Sequence, residues 1–223
     1  MEYKDKVAVV TGGAHGIGKC IAEEFRKRGA SVAVIDVREG DHFVGDISKK
    51  EVLEAFADEV IGKYGKVDFI VNNALPLMKG LDECTWEEFQ YALAVGITAP
   101  FYLVKLLAPY LAEGASIVNI SSSRDRMSQP QTESYTAAKG SLKTMEGNII
   151  LSSALWKNYA PAASEFIHLM HYSEGFGMGH EWRFKCAIFD CLNTGTYLIF
   201  ETCYLFRCMI FGNKLIIRAI HLC

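Results

Sequence analysis

Over its first 140 residues the chain predicts a single α/β domain built on a doubly wound parallel sheet, and three observations carry that expectation. Short, continuous apolar runs alternate with amphipathic stretches of helical length. A glycine-rich turn separates the first run from the first amphipathic stretch. Half of the 223 residues are apolar, enough to bury one sizeable core.

Residues 6–11, Lys6-Val-Ala-Val-Val-Thr11, read as a strand covered on both faces, because a half-exposed strand would alternate apolar with polar. Residues 17–27 carry apolar side chains at 17, 21, 22 and 25 with charges between them, the spacing of a helix, and Gly29 stands where a helix cap belongs. Residues 31–36 repeat the buried-strand pattern and residues 43–46 shorten it. Residues 49–63 are amphipathic, and residues 67–71 form a further strand. Residues 85–111 predict helix, with Thr85 and Glu88 spaced as a capping box and Pro100 interrupting the helix or marking a junction between two. Residues 116–120 are again a buried strand. Strands alternating with helices of this length imply right-handed βαβ crossovers.

Beyond Lys139 the alternation fades, and residues 141–223 read as a divergent segment with no convincing succession of strand, turn and helix. Its long apolar patch, residues 197–220, is broken by Glu201 and Arg207 and falls short of the roughly twenty apolar residues that cross a bilayer. No membrane anchor is therefore expected. The net charge is −3 with both signs interspersed, so no field of one sign exists to hold nucleic acid. The N-terminus has no basic flank or long apolar stretch of a secretory signal, which predicts a cytoplasmic protein. Of seven cysteines, Cys20 and Cys84 sit alone in helical patterns as small apolar residues, reduced in that compartment. The other five crowd the last forty residues without metal-ligand spacing, so no metal site is predicted.

Chemistry is first suggested by Thr11-Gly-Gly-Ala-His-Gly-Ile-Gly18, which lies between strand and helix, where a bare backbone can approach a pyrophosphate at a helix N-terminus. Asp36 ends the second strand twenty positions after Gly16, where its carboxylate can accept both ribose hydroxyls of NAD and repel the extra phosphate of NADP. Arg38 softens that exclusion without removing it. A competing motif, the triphosphate loop G-x-x-x-x-G-K-[ST], fails at Cys20, because a thiol is a poor magnesium ligand where a hydroxyl is required.

Tyr135 and Lys139 lie one helical turn apart on one face, and a nearby ammonium would lower the phenol pKa from its ordinary value of about 10. Ser122, thirteen residues before Tyr135 at the end of a strand, can donate to a substrate oxygen, with Ser121 and Ser123 as neighbouring candidates.

Taken as an ordered set, Thr11-Gly-x-x-x-Gly-x-Gly18, Asp36, Asp46, Asn72-Asn73-Ala74, Ser122 and Tyr135-Thr-Ala-Ala-Lys139 resemble the short-chain dehydrogenase/reductase family over residues 1–140. The resemblance implies a Rossmann-type fold and an NAD-dependent oxidoreductase moving hydride to or from a small alcohol or ketone. It implies Ser122, Tyr135 and Lys139 as the catalytic residues. Gly12, His15, Gly16, Ile17, Gly18, Asp36, Asp46, Ile47, Asn73 and Ala74 would line the cofactor, together with Tyr135 and Lys139. In the family this lysine also bonds the nicotinamide ribose, and the half corresponding to residues 141–223 supplies the usual homo-oligomer surface.

Three departures stand beside that resemblance. Leu75-Pro76 replaces a glycine turn after Ala74, and Gly96 stands where the family usually carries an Asn that holds a relay water. After Gly140 neither a clean continuation of the helix, with Gly147 in its way, nor the next strand is legible. That composition fits a divergent module or a shifted reading frame, and the second functional reading is accordingly a relative that binds NAD without turnover.

Overall fold

A computed structural model describes residues 3–122, 124, 129–151, 166–171, 206–211 and 214–219. Its main body is a six-stranded sheet in the order β3-β2-β1-β4-β5-β6, formed by Val7–Thr11, Ser31–Asp36, Phe43–Val44, Val67–Asn72, Leu111–Ser122 and Phe166–His171, taken as β1 to β6. Every pairing within it is parallel. Because β1 leads outward through β2 to β3 while β4 returns to the other side of β1, strand order reverses between β1 and β4. In an open α/β sheet the crevice at such a reversal, outside the carboxyl ends of the strands, is where ligands bind.

The continuous apolar strands have the predicted cause. Successive residues of one strand enter different cores: Ala8 and Val10 pack with Phe69, Val71, Val118 and Ile120 under helix α1 (Gly16–Lys27). Val9, Ile70 and Ile117 face the opposite side, against Leu53, Phe56 and Val60 of α2 (Lys50–Tyr64) and Leu103 and Leu107 of α4 (Ala99–Leu107). Tyr3, Phe25 and Phe69 close the first core as an aromatic trio with centroids 5.1 to 5.6 Å apart. Helix α2 ends on Gly65 in the left-handed conformation, which satisfies the Ile61 carbonyl.

The long predicted helix over residues 85–111 is divided. Thr85 caps α3 (Trp86–Leu93) through the complete capping box, then residues Ala94–Thr98 form a π-helical turn before α4 begins. Pro100 is the second residue of α4, directly after the π-helical turn, so the irregularity precedes it and is not centred on it. By length and hydropathy Trp86–Tyr110 could cross a membrane, yet its apolar residues Ala92, Val95, Ala99, Leu103, Val104 and Leu107 are buried inside the domain.

Two expectations about the second half are corrected. Helix α5 runs Glu133–Leu151, straight through Gly147, since a single glycine costs a helix only about 1 kcal/mol. Phe166–His171 adds a sixth strand beside β5. Farther on, Phe206–Phe211 and Lys214–Ala219 pair antiparallel as β7 and β8 in a separate two-stranded sheet. The remaining positions of residues 141–223 lie outside the described residues, as do Cys186, Cys191, Cys203 and Cys223. Cys20 and Cys84 are half-buried thiols.

Candidate active site

At the carboxyl end of β1, Gly12 donates its N–H to the Ile35 carbonyl at 2.8 Å and takes a φ of +66°, a conformation that bends the chain sharply off the strand. The turn is then packed shut on its inner side: a Cβ at Gly18 would lie 2.2 Å from the Gly12 carbonyl oxygen. On its outer side Gly16 meets nothing within 4 Å, and α1 starts there with His15 exposed at its N-cap, offering no side-chain cap. Ile17 packs against the core below. The turn therefore presents open backbone at a positive helix end, as an anionic group needs.

Asp36 ends β2 beside it. Its carboxylate accepts the Ala14 N–H and the Arg38 N–H, each at 3.0 Å, so the acid is oriented by the glycine turn itself. From β4, Asn73 Nδ2 donates to the Thr11 and Gly12 carbonyls at 3.1 and 3.0 Å, while the Asn73 and Ala74 N–H groups donate to Thr11 Oγ1. Predicted residues from three strand ends thus meet at the reversal point. Asn72 is a different case: buried, it donates to Asn119 Oδ1 at 2.7 Å and braces β4 to β5. Asp46 accepts the Ser48 N–H at 2.9 Å, shaping the entry to α2, and Ile47 is buried in the second core.

The second constellation lies where β5 meets α5. Ser122 is 3% exposed and stands beside the Tyr135 phenol, whose pKa it lowers. Ser121 is also buried, with an Oγ that has no hydrogen-bond partner, and Ser123 lies outside the described residues. Burial raises the Tyr135 phenol above its ordinary value, and Ser122 and the charge of Arg124 partly offset it. Lys139 Nζ donates to the Ile120 carbonyl at 2.5 Å and lies over the face of the Tyr135 ring, 5.7 Å from its centroid. Burial lowers the Lys139 pKa to about 8.

Arg124 adds a positive charge that favours the Tyr135 phenolate, while the Lys139 ammonium beside the ring donates to a backbone carbonyl. Arg124 is 8% exposed, its N–H resting on Ser122 Oγ at 3.3 Å. Sequence reasoning missed it, the available signal being a basic residue two positions after the serine.

Gly96 also acquires a physical reason. A Cβ there would lie 2.5 Å from Ala138 Cβ and 3.2 Å from Pro76, so the π-helical turn is pressed against α5 with Pro76 filling the notch. π-Helical turns of this kind are frequent at functional sites. The lost glycine turn after Ala74 is likewise rebuilt without a left-handed residue: Leu75 is exposed, Pro76 is buried, and neither has positive φ. Among the described residues no cluster of His, Cys, Asp or Glu could hold a metal.

Residues 6–154 match the family model described as short chain dehydrogenase. The chain is 30% identical over 172 residues to a probable galactose dehydrogenase of Rhizobium meliloti, covering 66% of this chain and 67% of that protein. It is 32% identical over 167 residues to the L-fucose dehydrogenase of Mus musculus, covering 68% of this chain and 61% of the mouse enzyme. A metagenomic short-chain oxidoreductase solved in complex with NADP superimposes with a TM-score of 0.66 at 25% identity, over 78% of this chain and 84% of that one.

Proposed function

The chain belongs to the short-chain dehydrogenase family, and on that premise we propose that it is an NAD-dependent oxidoreductase of small alcohols and carbonyl compounds. The observation that carries the reading is that Ser122, Tyr135 and Lys139 are buried together, with the Lys139 ammonium 5.7 Å from the centre of the tyrosine ring and Arg124 beside them.

The residues fit a nicotinamide dinucleotide. The Gly12 to Gly18 turn offers open backbone at a helix N-terminus, and the Asp36 carboxylate, already held by the Ala14 and Arg38 amides, is placed to accept ribose hydroxyls. That same negative charge disfavours a 2′-phosphate, which supports NAD over NADP even though a relative binds NADP. Asn73 and Ala74 hold the turn's shape from β4. Asp46, Ile47, His15 and Ile17 are the remaining cofactor-side residues of this reading. When bound, the dinucleotide supplies or accepts the hydride.

Tyr135 carries the proton. With its pKa raised by burial it is a phenol at neutral pH, ready to donate to a carbonyl oxygen that becomes an alcohol. In the reverse direction it accepts the alcohol proton as the phenolate, which Arg124 and Ser122 stabilise. Ser122 donates to the substrate oxygen and holds it in line. Lys139, anchored on the Ile120 carbonyl, stands one turn below the tyrosine, where its charge is available to a ribose hydroxyl. A cytoplasmic setting, and a homo-oligomer completed by residues 141–223, belong to the same reading.

Two sugar dehydrogenases among the relatives make aldoses the first substrates to screen. The test is a fluorescence titration with NADH and NADPH, followed by turnover in wild type and Tyr135→Phe. NADH should bind at least tenfold more tightly than NADPH. The variant should lose turnover by about three orders of magnitude with its NADH affinity unchanged within twofold. Equal turnover in the two proteins would remove Tyr135 from its role, and cofactor binding without turnover in either would leave a binding protein in place of an enzyme.

A further inference from the structure

The segment joining β4 to α3, residues 73–85, touches the cofactor side and the catalytic helix along one short path. It leaves the glycine turn at Asn73 and Ala74, whose amides are fixed on Thr11. Pro76 then fills the space above Gly96, itself packed on Ala138 of α5. Leu77 to Asp82 run against the residues that open α5, and here the contacts concentrate on Ser134.

Ser134 is fully buried. Its Oγ accepts the Lys79 N–H at 2.9 Å and can donate to the Leu77 carbonyl at 2.9 Å or the Lys79 carbonyl at 2.8 Å. Its backbone N–H donates to the Lys79 carbonyl at 3.1 Å. Glu133 Oε2 accepts the Leu81 N–H at 3.2 Å, and Gln131 Nε2 donates to Asp82. The first N–H groups of a helix have no partner within it and must find one elsewhere. In α5 the segment's own backbone supplies that partner one residue before Tyr135.

Two further features mark the junction as tightly specified. Gln131 holds a φ of +62°, a strained conformation for a residue other than glycine, which persists only where its surroundings enforce it. At Gly80 any Cβ would fall 2.1 Å from Gln131 Cα, so the two backbones touch.

We infer that Ser134 is a positioning residue for Tyr135: it fastens residues 77–79 to the first turn of α5 and thereby fixes where the phenol stands relative to the glycine turn. The inference rests on the catalytic role proposed for Tyr135, and Ser134 itself touches neither substrate nor cofactor. It also gives the Leu75-Pro76 and Gly96 departures one joint purpose, since Pro76 and Gly96 seat the same segment against α5.

The experiment compares wild type, Ser134→Ala and Gly80→Ala, the second variant wedging the junction apart while leaving the Ser134 hydroxyl in place. Both are expected to lower kcat about tenfold and to alter the pH profile of kcat/KM, with the NADH Kd unchanged within twofold. In amide hydrogen exchange, Ser134→Ala should raise the rates in residues 131–140 as well as in residues 76–83. A merely structural serine would lower the melting temperature and leave kcat and its pH profile where they were, and that result overturns the inference. If the wild type itself does not turn over, the reading of function fails, and exchange still decides the positioning role. Faster exchange confined to residues 76–83 ends it.

Discussion

At the amino end of the sheet Asp68 of β4 is buried among partners, while at the carboxyl end Lys139 is buried with its ammonium against one backbone carbonyl. Asp68 has a side chain 2% exposed and takes Lys6 at 2.8 Å, Lys66 at 3.1 Å and the Val7 N–H at 2.9 Å. Burial pushes its carboxyl up, and these bonds outweigh burial and hold it below the usual carboxylate range. Lys139 is equally enclosed, no carboxylate among the described residues pairs with it, and burial alone brings its pKa down to about 8. One charge is compensated and stabilises the fold. The other is held at a cost, as perturbed charged groups at functional sites often are.

The sharpest way to break this comparison is Lys139→Met, which keeps the length of the side chain and removes the charge. Turnover should fall at least a hundredfold, whereas the cofactor-free protein should become more stable, because apolar replacement of an uncompensated buried charge is often stabilising. The pH dependence gives the sign. With a folded pKa of about 8 against 10.5 in the unfolded chain, the unfolded state binds more protons between those values, so wild-type stability rises with pH across that window. A shift of that size corresponds to about 3 kcal/mol of penalty, fully present below pH 8. The stability gap between variant and wild type should therefore be widest at neutral pH and close toward pH 10.5. A variant less stable than wild type at pH 7 would mean that the lysine is compensated after all.

Asp68→Ala probes the other end. It removes a compensated charge and leaves the Val7 amide unmatched, but both lysines are 42% exposed and can return to water, so the loss should be about 2 to 3 kcal/mol rather than more. Turnover per folded molecule should not change. Because the Asp68 pKa is lowered on folding, its contribution is present above the unfolded carboxylate pKa and disappears as pH falls through the folded value. Urea melts at pH 7 and pH 3 should thus show the variant's deficit shrinking in acid.

The two ends also differ in how far the amino-acid sequence made them legible. The strands were readable because each is covered on both faces: Val9 and Val10 enter different cores, and nothing polar needed to alternate with them. The glycine turn and Asp36 were readable because their chemistry depends on residues close along the chain. Ser134 and the seating of Pro76 on Gly96 were not, since each acts through a contact with a distant segment; Ser134 meets Lys79 across 55 positions. The π-helical turn over Ala94–Thr98 was hidden because one widened turn leaves an apolar helical pattern nearly continuous. The strand Phe166–His171 was missed because Phe-Ile-His-Leu-Met-His lacks the unbroken apolar run of its neighbours.

The smallest effect, and the one that separates a defect from an adaptation, concerns Gly96. Were the missing Asn simply lost, Gly96→Asn would restore a relay group and raise kcat. The packing argues the reverse, because a Cβ at that position would meet Ala138 Cβ at 2.5 Å and Pro76 at 3.2 Å, and Ala138 lies on the same helix as Tyr135 and Lys139. Forcing a side chain into such a contact costs about 1 to 3 kcal/mol. Part of that strain falls on stability and part on the placement of α5, so kcat should drop several-fold and the melting temperature by a few degrees. The double variant Pro76→Gly with Gly96→Asn opens one of the two contacts and should recover some of the loss. Recovery requires that Pro76 and Gly96 act as a unit; additive losses would show instead that the π-helical turn and the segment above it are independent.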